Sequence, residues 1–150
     1  MPSNTYSFLD TQASIVGPGG AFSIGAGAGI SKEGITIESA NDINAMTIGA
    51  DGKGMHNLHA DKSGTVTVRV LKTAPVNALL SAMAAFQRSS SLNHGGNTIT
   101  ITNSTLVDVI SCKQCAFKKM PSITYAEDGA MNEWTFDVIE IDYGLGGGGL

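Results

Sequence analysis

Hydrophobic and polar residues alternate with a period of two along much of the chain. Val66, Val68 and Val70 fall on one side of a strand, with Thr65, Thr67 and Arg69 on the other. Ile99 and Ile101 alternate with Thr98, Thr100 and Thr102 in the same way, and Ile35 and Ile37 with Thr36 and Glu38. A strand with one buried and one wetted face requires this pattern. Near the C-terminus Trp134, Phe136 and Val138 share a face, after which the apolar set passes to Ile139, Ile141 and Tyr143. A change of face within one run predicts a bulge near Val138–Ile139, or a strand buried on both sides for part of its length. Further strands are expected at Ala13–Val16 and Ala21–Ile24, joined by the turn Gly17-Pro18-Gly19-Gly20, and from about Leu106 to Lys118.

Helical spacing occurs once. After Lys72, Val76, Leu79, Leu80, Met83 and Phe86 lie on one helical face. Pro75 suits the first turn, Thr73 is a candidate cap, and the Ser- and Gly-rich stretch from Ser89 to Gly96 stops the helix. Such a helix would cover one face or end of a sheet. Ala40–Ser63, about two dozen residues, shows no clear alternation, and loops beyond about 12–15 residues usually have a task. It contains Ile43, Met46, Ile48, Met55 and Leu58. Exposing that much apolar surface is unfavourable in a free monomer, so the loop is expected to pack on a partner. The alternative is a loop folded back on its own core. The domain is expected to span residues 1–143, followed by a Gly-rich tail, 144–150, that is mobile or ordered only on a neighbour.

Composition supports a single, mainly β domain. The chain has 150 residues, 42% of them hydrophobic and 15% charged, enough for one core and not for two. Its 19 glycines lie in loops, not in a collagen period. The charge balance, 9 − 13 = −4, with no basic run, is unsuited to tight sequence-independent nucleic-acid binding. No apolar stretch approaches the ~20 residues of a membrane-spanning helix. Met1–Asp10 lacks the basic and apolar regions of a signal peptide, so assembly in a cytosol is expected.

Signals for chemistry are weak. Cys112-Lys113-Gln114-Cys115 is a C-x-x-C motif, readable as a redox dithiol or half a zinc site. A redox pair wants its first cysteine at a helix N-terminus, however, and no second C-x-x-C completes a zinc site. In a strand, positions three apart face opposite ways, so the pair reads better as two reduced thiols. His56 and His59, flanked by Asp51 and Asp61, offer two metal ligands and no third by spacing, which favours a surface or interface role. Gly25-Ala26-Gly27-Ala28-Gly29 matches neither G-x-G-x-x-G nor a P-loop, and no helix follows it to hold a phosphate. No G-x-S-x-G motif is present. No active site, cofactor or metal is expected.

Several segments resemble one family as sequence. Tyr6–Asp10, Thr47–His56, Leu71–Asn77, Ala116–Lys119, Tyr125–Gly129 and Glu133–Asp137 are similar to virion structural proteins of contractile-tailed bacteriophages, over about Thr5 to Asp142. These proteins look like tail tube proteins; the two cysteines and the glycine tail are not part of the likeness. The resemblance implies a tail-tube-like β-sandwich or barrel with one flanking α-helix, Pro75–Arg88, towards the sheath, and a long inter-ring loop. It also implies a non-enzymatic protein that stacks, with itself as partner, in hexameric rings. Tail sheath, baseplate, terminator and tape-measure proteins are implied as further partners, and genomic DNA passes through without specific binding. Met46, Ile48, Asp51, Met55, His56, Leu58 and His59 are then the inter-ring candidates. Thr65, Thr67, Arg69, Thr98, Thr100 and Thr102 are the candidates for the lumen. Six copies at −4 would give 6 × 4 = 24 negative charges per ring, and a negative lumen repels phosphate. A tail completion or baseplate protein and a secretion-system tube protein are alternatives within the same fold. A sugar- or small-molecule-binding β module would want clustered exposed aromatics, and the one Trp and three Tyr are scattered.

Overall fold

The computed structural model describes residues 5–147, with the backbone alone at residues 31–33. After a short 3-10 turn, Phe8–Asp10, come strands β1 (Thr11–Gly17), β2 (Gly20–Ser23), β3 (Ile30–Ser39), β4 (Asn44–Ile48), β5 (Gly54–Leu58) and β6 (Gly64–Val70). Helix α1 (Val76–Arg88) follows, then β7 (Asn97–Asn103), β8 (Asp108–Lys119) and β9 (Asn132–Gly144). Seven strands form an antiparallel sheet in the order β2-β1-β7-β8-β9-β6-β3. The consecutive strands β7, β8 and β9 lie at its centre, with the N-terminal strands on either side. β2 and β3 are left as edges. β4 and β5 form a separate two-stranded ribbon.

The alternating positions fall as the polarity pattern requires. Ile15, Val66, Val68, Val70, Ile99, Trp134 and Phe136 form one buried cluster, and the intervening threonines and charged residues face the other way. Phe117 adds an aromatic contact, its ring centroid 4.7 Å from that of Phe136 and 6.0 Å, edge-on, from that of Trp134. The helix buries Val76, Leu80, Met83, Ala84 and Gln87. Leu79 and Phe86, expected on that face, are each 49% exposed. The buried stripe is therefore narrower than the apolar face, running through Val76, Leu80, Met83, Ala84 and Gln87. No helix among the described residues is long and apolar enough to cross a membrane.

The helix start is built differently from expectation. Pro75 occupies the capping position without a side-chain hydrogen bond, and Thr73 does not cap. Asn77 orders the turn leading into the helix without capping its N–H groups: its amide donates to the carbonyls of Leu71 at 2.9 Å and of Lys72 and Ala74 at 3.2 Å. Its Oδ1 accepts from Asn132 Nδ2 and Trp134 Nε1, both at 3.1 Å. One side chain thus ties the entry of α1 to the start of β9.

Cys112 and Cys115 are both fully buried on the core side, which corrects the expectation that they face opposite ways. Gln114 between them has φ 55°, a left-handed conformation, and the β7–β8 register slips by one between Asn97 and Ile99. The extra residue turns β8 over. Pairing with β9 stays in step, Cys112 opposite Ile141 and Cys115 opposite Val138, so β9 changes face in the same place. Ile141 is the buried member of its second apolar set, while Ile139 and Tyr143 are exposed. The change of face was legible; the bulged residue responsible lies across the ladder in β8.

Burial raises the thiol pKa of Cys112 to about 11, with the charge of Asp142 contributing. Cys115 rises to about 12, again chiefly by burial, with Cys112 contributing and a hydrogen bond to the Ile99 backbone opposing. A thiol-reactive reagent should therefore find no thiol in the native protein at pH 8 and two after denaturation. Folded pKa values above the unfolded value of about 8.5 stabilise the fold fully below that pH, and the contribution is lost as pH rises towards 11–12. Replacing Cys112 with Ser buries a hydroxyl without a ready partner and is expected to cost about 1–3 kcal/mol in denaturant unfolding. A native protein that reacts at both thiols would contradict this placement.

Leu145–Gly147 form a 3-10 turn on the chain itself, Gly147 N donating to Val107 O and Gly146 N to Asp108 Oδ1, each at 2.8 Å. The remaining tail residues, 148–150, lie outside the described residues, as do residues 1–4 of the N-terminal segment.

Candidate assembly interface

The segment Ala40–Ser63, read as an irregular loop, is a β-hairpin on a stalk. At the stalk, Ala40 N donates to Ser63 O at 2.9 Å and His59 N to Ile43 O at 2.8 Å. Asp61 accepts from Ser63 N at 2.8 Å and from the amide of Asn41. Those hydrogen bonds, first the ones from Ser63, hold the Asp61 carboxyl below its usual range. At the tip, Gly49 N donates to Lys53 O at 2.7 Å, Gly52 takes φ 85°, and Asp51 Oδ1 accepts from Lys53 N at 3.1 Å. The turn uses its glycine where L residues are strained.

Register places the candidate residues. Met46 pairs with His56, Asn44 with Leu58 and Ile48 with Gly54, so Met46, Ile48, His56 and Leu58 share one face of the ribbon. Met55, opposite Thr47, lies on the other. Asp51 is at the tip and His59 in the stalk, its Nδ1 3.0 Å from Asp42 O. His56 Nδ1 lies 3.1 Å from Asn44 Nδ2. Among the described residues no three His, Cys, Asp or Glu side chains gather where a metal ion could be held. Met46 is 63%, Ile48 55%, Met55 57% and Leu58 83% exposed. A lone two-stranded ribbon is marginal in water, and this one leaves its apolar side chains uncovered on both faces. The alternative of a loop folded back on its own core does not occur.

The six threonine-face candidates all lie on the side of the sheet away from the core. Thr65, Thr67 and Arg69 belong to β6, between β3 and β9; Thr98, Thr100 and Thr102 belong to β7, between β1 and β8. The two rows differ in charge. Around β7 the facing residues are Gln12, Ser14, Val16, Val109 and Ser111, with no charge. Around β6 they include Glu38, Asp137 and Glu133. Arg69 donates to Glu133 at 3.3 Å and to Thr36 Oγ1 at 2.7 Å. Further along β9, Asp142 lies 3.4 Å from Lys62 and 3.5 Å from Lys113. Partial desolvation pushes its carboxyl up, but the hydrogen bonds and charges of the two lysines outweigh this and leave it below its usual range. Gln12, Ser14 and Ser111 were not singled out from sequence; short alternating runs in β1 and β8 were the only signal for them.

An antiparallel β body with one helix on its core side and a projecting hairpin is a fold found in contractile injection machines. A chain of the sheath/tube terminator of an extracellular contractile injection system, PVC, in its extended state is similar at TM-score 0.61 and 14% identity, covering 94% of this chain and 97% of that one. A chain of the PVC sheath-tube complex gives 0.58 and 14%, covering 93% and 91%. One from the anti-feeding prophage tube-terminating cap gives 0.57 and 12%, covering 94% and 93%. No curated protein matches the sequence significantly. Residues 3–146 match the family described as bacteriophage PhiTE tail tube protein, and the chain belongs to that family of structural tail components.

Proposed function

We infer that the protein self-assembles as stacked rings, six subunits to a ring, into the inner tube of a contractile tail, and that this tube is the conduit for DNA ejection. Family membership carries the tube role. The observation that carries self-assembly is the hairpin, with Met46, Ile48, Met55 and Leu58 uncovered in the single chain. Within a ring, the unpaired edges of β2 and β3 would be closed by neighbouring subunits, removing a liability that open edges otherwise present. Between rings, the hairpin would bury its apolar side chains on the next layer. The polar face carrying Thr65, Thr67, Arg69, Thr98, Thr100 and Thr102 suits a water-filled lumen, through which DNA passes without specific binding. Residues 1–143 act as one assembly domain, with 144–150 appended. The tube would meet sheath, baseplate, terminator and tape-measure proteins, and subunits would assemble in the host cytoplasm before incorporation in the virion. Such a role needs no catalysis, cofactor or metal.

The likeness to terminator and cap chains supports a second reading, a completion protein that closes a tube. Polymerisation separates the two. A tube protein concentrated alone should form long hollow filaments by negative stain, whereas a completion protein stops at one ring. A strict monomer at high concentration, by scattering and microscopy alike, contradicts both.

A further inference from the structure

We propose that the hairpin docks on the opposite end of a second copy, on a patch formed by Leu71, Met120, Ile123 and Tyr125; this rests on the inter-ring role inferred for the hairpin. The hairpin leaves the body where β3 ends and β6 begins. β6 then carries the chain roughly 20 Å, at about 3.3 Å per residue, to the far end. There Leu71 and Lys72 follow β6, β8 ends at Lys119 and β9 begins at Asn132. The connecting segment, residues 120–131, contains no helix or strand. Leu71, Met120 and Ile123 are about half exposed and Tyr125 is 88% exposed.

The patch is held in place before anything binds it. Lys72 Nζ donates to Thr124 O and sits 4.4 Å from the centroid of the Tyr125 ring, pinning the segment to the end of β6. Charges on the two surfaces also match. Asp51 and Lys53 stand at the hairpin tip; along the chain, Lys118 and Lys119 close β8 just before Met120, and Glu127 and Asp128 follow Tyr125. Among the described residues none of these six is in an ion pair within the chain. Each surface therefore offers an apolar centre with unpaired charges of both signs. Donor and receiver lie at opposite ends of the same strands, so the contact is head-to-tail. Such a contact repeats from layer to layer instead of closing on itself.

Complementation tests the pairing. One variant carries Met46→Asp and Ile48→Asp, spoiling the hairpin; another carries Met120→Asp and Ile123→Asp, spoiling the patch. Each alone should stop at the single-layer species. Mixed in equal amounts, those species should form two-layer particles and grow no further, because only one junction then has both native surfaces. Long tubes from the patch variant, with the hairpin variant still blocked, overturn the pairing and leave the hairpin's inter-ring role standing. Long tubes from the hairpin variant overturn that role. A mixture that stays single-layered overturns the pairing as well. If the patch variant does not fold, Tyr125→Ala replaces it: this side chain is almost wholly exposed, and its loss should shorten the tubes at least severalfold, while tubes of native length overturn the proposal.

Discussion

Replacing Met46 and Ile48 with Asp is expected to leave a folded protein that forms no long tubes. Both side chains are more than half exposed on the same face of the ribbon, so the new carboxylates stay in water in the free subunit. The circular dichroism spectrum and unfolding midpoint should hardly move. In the assembly each substitution forfeits a burial worth about 1.5–3 kcal/mol and adds the cost of desolvating a charge. The loss recurs at every subunit of every ring, so a modest effect per contact becomes failure of stacking. Tube-length distributions by negative stain check this. Tubes of native length from the double variant would move the stacking surface elsewhere, to the N-terminal segment or the glycine tail.

The largest effect on the fold itself is expected at Gln87. Its side chain and that of Asn97 are fully buried and exchange two hydrogen bonds, Gln87 Nε2 to Asn97 Oδ1 at 2.6 Å and Asn97 Nδ2 to Gln87 Oε1 at 2.9 Å. Gln87 Nε2 also reaches Pro18 O at 2.9 Å. The last turn of α1 is thereby fixed to the start of β7 and to the β1–β2 turn. Gln87→Ala leaves the buried Asn97 amide without its partner on both its donor and acceptor atoms, removes a donor from the half-buried Pro18 carbonyl, and opens a void. At about 1–3 kcal/mol for each stranded buried group, the variant should lose roughly 2–5 kcal/mol, a large share of the roughly 5–15 kcal/mol typical of a domain. The site can be tested independently at Gly17, where an added Cβ would lie 1.9 Å from Asn97 Oδ1. Gly17→Ala should displace the Asn97 amide and lower the denaturant midpoint in the same direction. A shift below about 0.5 kcal/mol in both variants would mean that the amide pair does not hold the helix.

Strands with one dry and one wet face were legible because burial imposes contrast on alternate residues. β6 and β7 were read nearly to their ends for that reason, and α1 from its apolar stripe. β4 and β5 escaped because both faces of the ribbon are exposed, so Met46 and Ile48 on one side and Met55 on the other give no period-two signal. What did show was excess apolar content in a long connection, and that is the property of the interface. Cys112 and Cys115 misled because Gln114, a residue with no strong preference for positive φ, turns the strand over. Asn77, Gln87 and Asn97 carried no signal at all. Their value lies in partners brought together by the fold, which alternation and spacing do not encode.

Cryo-electron microscopy of the purified, concentrated protein tests the central claim most directly. The account predicts hollow tubes of uniform diameter, with the β4–β5 hairpin of each subunit crossing into the adjacent layer and the threonine face of β6 or β7 lining the lumen. Particles that never exceed one layer, or tubes in which the hairpin stands free in solvent, would contradict it.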